Sequence, residues 1–149
     1  MTKGQVVSGD FAKIVMRVKS SENVELGELV VIEDDSEKFI LQVYDLVYGS
    51  QISSQNLEMV AGMDLEEGGF SIMDGKLRNY QLAFLKPILN LGVNSGISKT
   101  CKKLPSFFTK VREIQKEDLS FITKPNNPLF LGKLRSGSKE MDFDIFLEG

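Results

Sequence analysis

Histidine and tryptophan are absent from these 149 residues, and there is one cysteine. The missing histidine removes imidazole acid–base catalysis and nearly every ordinary zinc site from the chemistry open to this chain. A lone cysteine, Cys101, rules out a disulfide within the chain and fits a reducing compartment such as the cytosol. No apolar run approaches the ~18 residues that suggest a membrane span, and MTKGQVVSGD lacks the hydrophobic segment of a signal peptide. The expected location is cytoplasmic. For catalysis there remain carboxylates, lysines and Cys101, and no spacing arranges them into a site. The TCKKL context of Cys101 would favour its thiolate through the adjacent lysines, although an incidental thiol in a linker is the plainer reading.

Glycine, by contrast, is not scarce, and LGVNSGISKT (91–100) sets two glycines near a Lys-Thr pair. A Walker A loop needs G-x-x-x-x-G-K-[ST], because successive backbone N–H groups wrap the phosphates while the lysine reaches forward. Counting back from Lys99 and Thr100, the required glycine positions hold Val93 and Ser98; the real glycines are Gly92 and Gly96. A β-branched residue at the loop entry removes the backbone freedom the motif depends on. The stretch reads as a tether.

The apolar fraction of 42% and charged fraction of 26% suit a soluble globular chain with one core. Charge is unevenly spread. Residues 1–98 carry 8 basic and 14 acidic side chains, residues 99–139 carry 10 and 3, and residues 140–149 carry 4 acids and no base. The middle block predicts a basic surface facing nucleic acid or an acidic partner. Its candidate contacts are Lys99, Lys102, Lys103, Lys110, Arg112, Lys133 and Arg135. A solvated loop would account for the first three equally well.

Hydrophobic periodicity predicts a mainly β protein. FAKIVMRVK (11–19) alternates Ala12, Ile14, Met16 and Val18 against Lys13, Arg17 and Lys19, the period of a half-buried strand. Gly9 and Asp10 supply a turn before it. ELVVIE (28–33) reads as a buried strand, and FILQVYDLVYG (39–49) as another. SSQNLEMVAG (53–62) predicts a short helix capped by a serine and plugging one barrel end, with an acidic turn at Glu66–Gly69 after it. In YQLAFLKPILNLG (80–92), Ala83, Leu85, Leu89 and Leu91 share a face, and Pro87 demands an edge or a bulge. Short strands between turns predict a small closed barrel over residues 1–92. A linker with short helices over 93–127 and a β-hairpin over 128–149 follow. Phe107, Val111 and Ile114 at i, i+4 and i+7 place a helix in that linker, with a second short turn at Asp118.

Three features invite functional readings. Asp142 and Asp144 share a strand face, which fits a magnesium ligand pair, acid–base chemistry, or simply a solvated face. Phe107 and Phe108 beside Lys110 and Arg112 suit nucleic-acid stacking, a core or an interface. LGKLRSGS (131–138) offers Lys133 and Arg135 to phosphate, or is a tight turn.

The opening GQVVSGDFAKIVMRVKSSENVELGELVVIE resembles the N-terminal barrel of archaeal HerA-type ATPases, the hexameric DNA translocases, a barrel similar to that of ATP-synthase subunits. VYDLVYGSQI, PSFFTKVREIQKEDLSFI and NPLFLGKLRSGSKEMDFDIFLEG resemble the passages that lead on toward the motor, so the likeness spans the chain. It implies a non-catalytic assembly and docking domain, self-association into a hexameric ring, and a NurA-type nuclease as partner in DNA-end processing. Double-stranded DNA, ATP and Mg2+ would belong mainly to a motor that these residues do not include. The resemblance therefore implies either the N-terminal portion of a translocase or a stand-alone relative. The alternative is a free-standing nucleic-acid-binding barrel.

Overall fold

A computed structural model describes residues 1–68, 75–92 and 98–149. Six strands close an antiparallel barrel: β1 (Thr2–Gly9), β2 (Ile14–Val18), β3 (Leu29–Asp34), β4 (Glu37–Ser50), β5 (Asn79–Gly92) and β7 (Lys110–Glu113), in the order β2-β1-β7-β3-β4-β5 with β5 pairing back to β2. A two-residue β6 (Ser98–Lys99) adds to β5. The fold class expected from the sequence is the one observed: a closed barrel, helical elements, and a C-terminal hairpin of β8 (Pro128–Ser136) and β9 (Lys139–Glu148). The central residues of LGVNSGISKT, 93–97, lie outside the described residues.

The barrel interior is a packed apolar core that includes Val6, Ile14, Met16, Val30, Ile32, Phe39, Leu41, Leu85 and Val111. Its strands show the expected alternation, and Leu29–Ile32 is buried on both faces. β1 escapes the periodic pattern because it carries glycines. Gly4 is required there: a Cβ would stand 2.3 Å from the Arg17 carbonyl oxygen and 2.7 Å from the Met16 side chain. Gly9, at φ 123, turns the chain into β2, and Asp10 Oδ1 accepts from the N–H groups of Ala12 and Lys13.

Four expectations are corrected. The stretch read as a helix on Phe107, Val111 and Ile114 is strand β7, held between β1 and β3. Val111 enters the barrel, Ile114 joins a different apolar cluster, and Phe107 is exposed, so the helical spacing is coincidental. Tertiary pairing overrides the local period. As a consequence, residues 1–92 do not complete the barrel; its sixth strand comes from the segment read as linker. The short turn near Asp118 does form, as a 3₁₀ turn (Lys116–Leu119).

The third correction concerns β5. Pro87 does bring a bulge, with Ile88 as the extra residue between the Leu41–Pro87 and Ile40–Leu89 pairs. The bulge flips the following side chains, so Ala83 and Leu85 face the interior while Leu89 and Leu91 face outward. Those outward residues join Leu29, Val31 and Ile40 in a second cluster, covered by Ile114, Leu119 and Met141, with Phe121, Leu134 and Phe143 at its margin. The turn end of the hairpin thus rests on the barrel wall, while Leu129, Phe130, Leu131 and Leu147 near its open end are exposed.

The fourth is α1 (Ser54–Glu67), which starts at the expected cap, Ser53 accepting from the Asn56 N–H. It continues through Glu66 and Glu67, read as a turn, to Gly68 at φ 71. None of its residues is buried, so it does not plug the barrel. A one-turn α2 (Gly75–Arg78) precedes β5.

Candidate functional site

The seven basic residues singled out by sequence do not converge. Lys99 is on β6, while Lys102 and Lys103 follow it in a loop where Lys103 pairs with Glu37 at 3.2 Å. Lys110 and Arg112 lie on β7, and Lys133 and Arg135 on β8. Lys133 approaches Asp142 at 3.8 Å, and Arg135 faces Glu140 across the hairpin. The pair Asp142 and Asp144 stays exposed, with Asp142 also 3.6 Å from Lys116. Among the described residues no group of three or more potential ligands is placed to hold a metal ion. No described helix is long and apolar enough to cross a membrane.

Arg112 is committed to a structural role. Its guanidinium donates to both oxygens of Asp118 at 2.7 Å and to Glu33 Oε1 at 2.7 Å. Asp118, only 4% exposed, also accepts from Lys38 Nζ at 3.0 Å and the Gln115 N–H at 2.8 Å. Burial alone would raise the Asp118 carboxyl pKa, but the hydrogen bonds from Arg112, Gln115 and Lys38 outweigh it and bring it to about 2. The bond to Asp118 holds the guanidinium firmly protonated, and Arg112 in turn lowers Glu33. The sequence marks only a short turn at Asp118, and its place at the centre of an ion-pair network was missed. Its three partners, Lys38 on β4, Arg112 on β7 and Gln115 in the adjoining loop, meet only in the folded chain, so spacing carries no signal.

Cys101 is buried in the barrel core. Burial, then the nearby Glu37 charge, pushes its thiol pKa up, opposite to the activation its lysine neighbours suggested.

The exposed aromatic pair is the most built surface feature. Phe107 and Phe108 are each 63% exposed and meet edge-to-face, centroids 5.0 Å apart. Phe108 has φ 61, a left-handed conformation that a bulky residue adopts only when its surroundings enforce it. They do. The Phe108 N–H donates to the Val6 carbonyl at 3.0 Å, the Val6 N–H to the Thr109 carbonyl at 3.0 Å, and Gln5 Nε2 to the Phe108 carbonyl. On the other side, Asp34 Oδ2 accepts from the Ser106 N–H at 2.8 Å and its hydroxyl at 2.7 Å. The β1–β2 turn opens at the same end of the barrel and bears exposed Phe11. This knob is rigid, apolar and open to solvent.

Fold and site together define a closed β-barrel module with a filled interior and a preformed aromatic knob. No protein-family model matches the chain, and no curated protein matches it.

Proposed function

We propose that this chain is a non-catalytic assembly and partner-docking barrel. Of the readings its sequence suggests, we favour the docking domain of a HerA-type hexameric DNA translocase working with a NurA-type nuclease. The observation that carries the docking role is Phe108 at φ 61, which holds an exposed aromatic pair in place against local strain. Rigid aromatic anchors of this kind bind well because little freedom remains to be lost on association. The closed barrel agrees with the fold that the resemblance implies, although a fold alone does not select a function. We assign no residue of this chain to ATP or Mg2+, which belong to the motor of that family.

The test uses Phe108→Gly and Phe107→Ser, with mass in solution measured by light scattering, alone and with a NurA-type nuclease. Glycine accepts a positive φ, so Phe108→Gly is expected to leave the fold as stable or to stabilise it by about 1 kcal/mol. Association is expected to weaken by about 30-fold, the scale of losing a hot-spot residue. Unchanged association in both variants would overturn the docking role of the knob.

A further inference from the structure

The outward faces of β2, β5 and β4 form a second surface, none of it in the basic block 99–139. Met16, Ala83 and Leu85 are fully buried in the barrel, so their strand neighbours Arg17 and Phe84 point outward. Arg17 lies across from Leu82, and Tyr80 across from Gly49. The Arg17 guanidinium sits 4.1 Å from the Tyr80 ring centroid, and the Lys13 ammonium 4.7 Å from that of Phe84. Tyr44 packs against the other side of this row, 6.2 Å from Phe84. Gly49 admits the Tyr80 ring, since a Cβ there would stand 2.3 Å from its Cε2 atom. Farther along β5, Lys86 is exposed.

At the end of this row opens a cleft of about 600 Å³, lined among others by Lys19, Asn23, Tyr48, Asn79, Tyr80 and Gln81. Tyr48 is 91% exposed, a large ring with almost no partner surface. The Ser50 hydroxyl donates to Asn79 Oδ1 at 2.6 Å and so fixes that amide.

These groups have complementary uses. Tyrosines and a guanidinium plane stack on bases, side-chain amides hydrogen-bond base edges, and lysines neutralise phosphates. The chain as a whole has net charge −3, yet this face sets Lys13, Arg17, Lys19 and Lys86 against the acids Asp45 and Glu22. Glu22 is itself drawn toward Lys3, at 3.8 Å. An acidic peptide would use the cations and leave the rings idle, and duplex DNA presents no free base faces. We propose that this face binds single-stranded nucleic acid, a base stacking on Tyr48 in the cleft and the phosphates tracking past Arg17, Lys13 and Lys86. The cleft that holds Tyr48 lies at the end of β2 away from the aromatic knob, and of the surface's cations only Lys13 belongs to the β1–β2 turn on the knob's side.

Fluorescence anisotropy tests this on the whole chain, with a labelled single strand of about 15 nucleotides, within the range one barrel covers. A duplex of equal length and polyglutamate serve as competitors. The single strand is expected to bind more tightly than the duplex, with affinity falling as salt rises. Tyr48→Ala is expected to lower affinity by about tenfold, and Tyr48→Phe to restore it, because stacking needs the ring and not the hydroxyl. Tyr48 is too exposed for its loss to unfold the chain. Lys13→Gln with Lys86→Gln is expected to flatten the salt dependence. The proposal is overturned by unchanged affinity in Tyr48→Ala, by no binding, or by polyglutamate competing as well as the single strand. Phe108→Gly leaves this binding intact, so the two surfaces succeed or fail independently.

Discussion

The two apolar clusters are built on the same strands but held together differently. On β3, Val30 and Ile32 face the barrel interior, while Leu29 and Val31 belong to the cluster outside the wall. The inner cluster is enclosed by ladder hydrogen bonds all the way round. Hairpin β8–β9, part of the outer cover, forms its own two-stranded sheet. Polar clamps fasten that cover: the Asp118 network, the Leu29 N–H donating to Ser136 Oγ at 2.8 Å, Ser138 on Glu25, and Lys139 on Glu113 at 2.9 Å. The Ser138 and Lys139 bonds lower the pKa values of the Glu25 and Glu113 carboxyls, as expected for carboxylates holding donors. The inner core is therefore closed by topology, and the outer one by side-chain chemistry.

Truncation should separate the two most strongly. Leu85 is fully buried in the inner cluster, and Leu85→Ala is expected to cost about 3–4 kcal/mol in urea unfolding. Leu119→Ala is expected to cost about 2 kcal/mol, because the 3₁₀ turn that carries it can resettle on the barrel wall. Equal losses would merge the two clusters into one cooperative core.

Next in size is the clamp itself. Asp118→Asn leaves Arg112 and Lys38 without their shared carboxylate and is expected to cost about 2–3 kcal/mol. The value falls below that of a fully buried pair because the Arg112 and Lys38 side chains are 27% and 24% exposed. The pH dependence has a definite sign. The folded pKa lies below the ordinary 3.8, so this stabilisation is complete above that value and is lost as pH falls toward about 2. Wild type should lose stability through that window and Asp118→Asn should lose less. Parallel pH profiles would remove Asp118 from its central place.

How much of this was legible follows from what each residue's neighbours are. Strands β2 to β5 announce themselves by alternation and β-branched content, and Pro87 announces a bulge. The bulge's consequence, moving Leu89 and Leu91 to another core, depends on Ile88 being skipped in pairing with β4. Strand β1 is hidden by Gly4, whose smallness matters only once Met16 lies against it. Strand β7 is hidden by an accidental helical period. Sites fare worse than strands, since Arg112 reads as a free cation until Asp118 is placed beside it. Tyr48 and Tyr80 lie far along the chain from Lys19, and only the strand pairing brings them around one cleft.

The smallest effect needs no substitution. Hydrogen exchange on the unmodified chain should resolve the two cores by the rate at which each opens. Residues 14–17 are paired on both sides, to β1 and β5, and their amides should exchange only through global unfolding. Within 141–147 only 144–147 have register partners, all on β8, and Leu147 near the strand's end is exposed. The amides of 141–147 should exchange sooner, with Met141 and Phe143 slower than Leu147 because they rest on the barrel wall. Asp118→Asn should widen the gap by loosening the cover while leaving β2 protected. Protection of 141–147 equal to that of β2 in a monomer would show that side-chain clamps couple the hairpin to the barrel as tightly as a hydrogen-bonded ladder does.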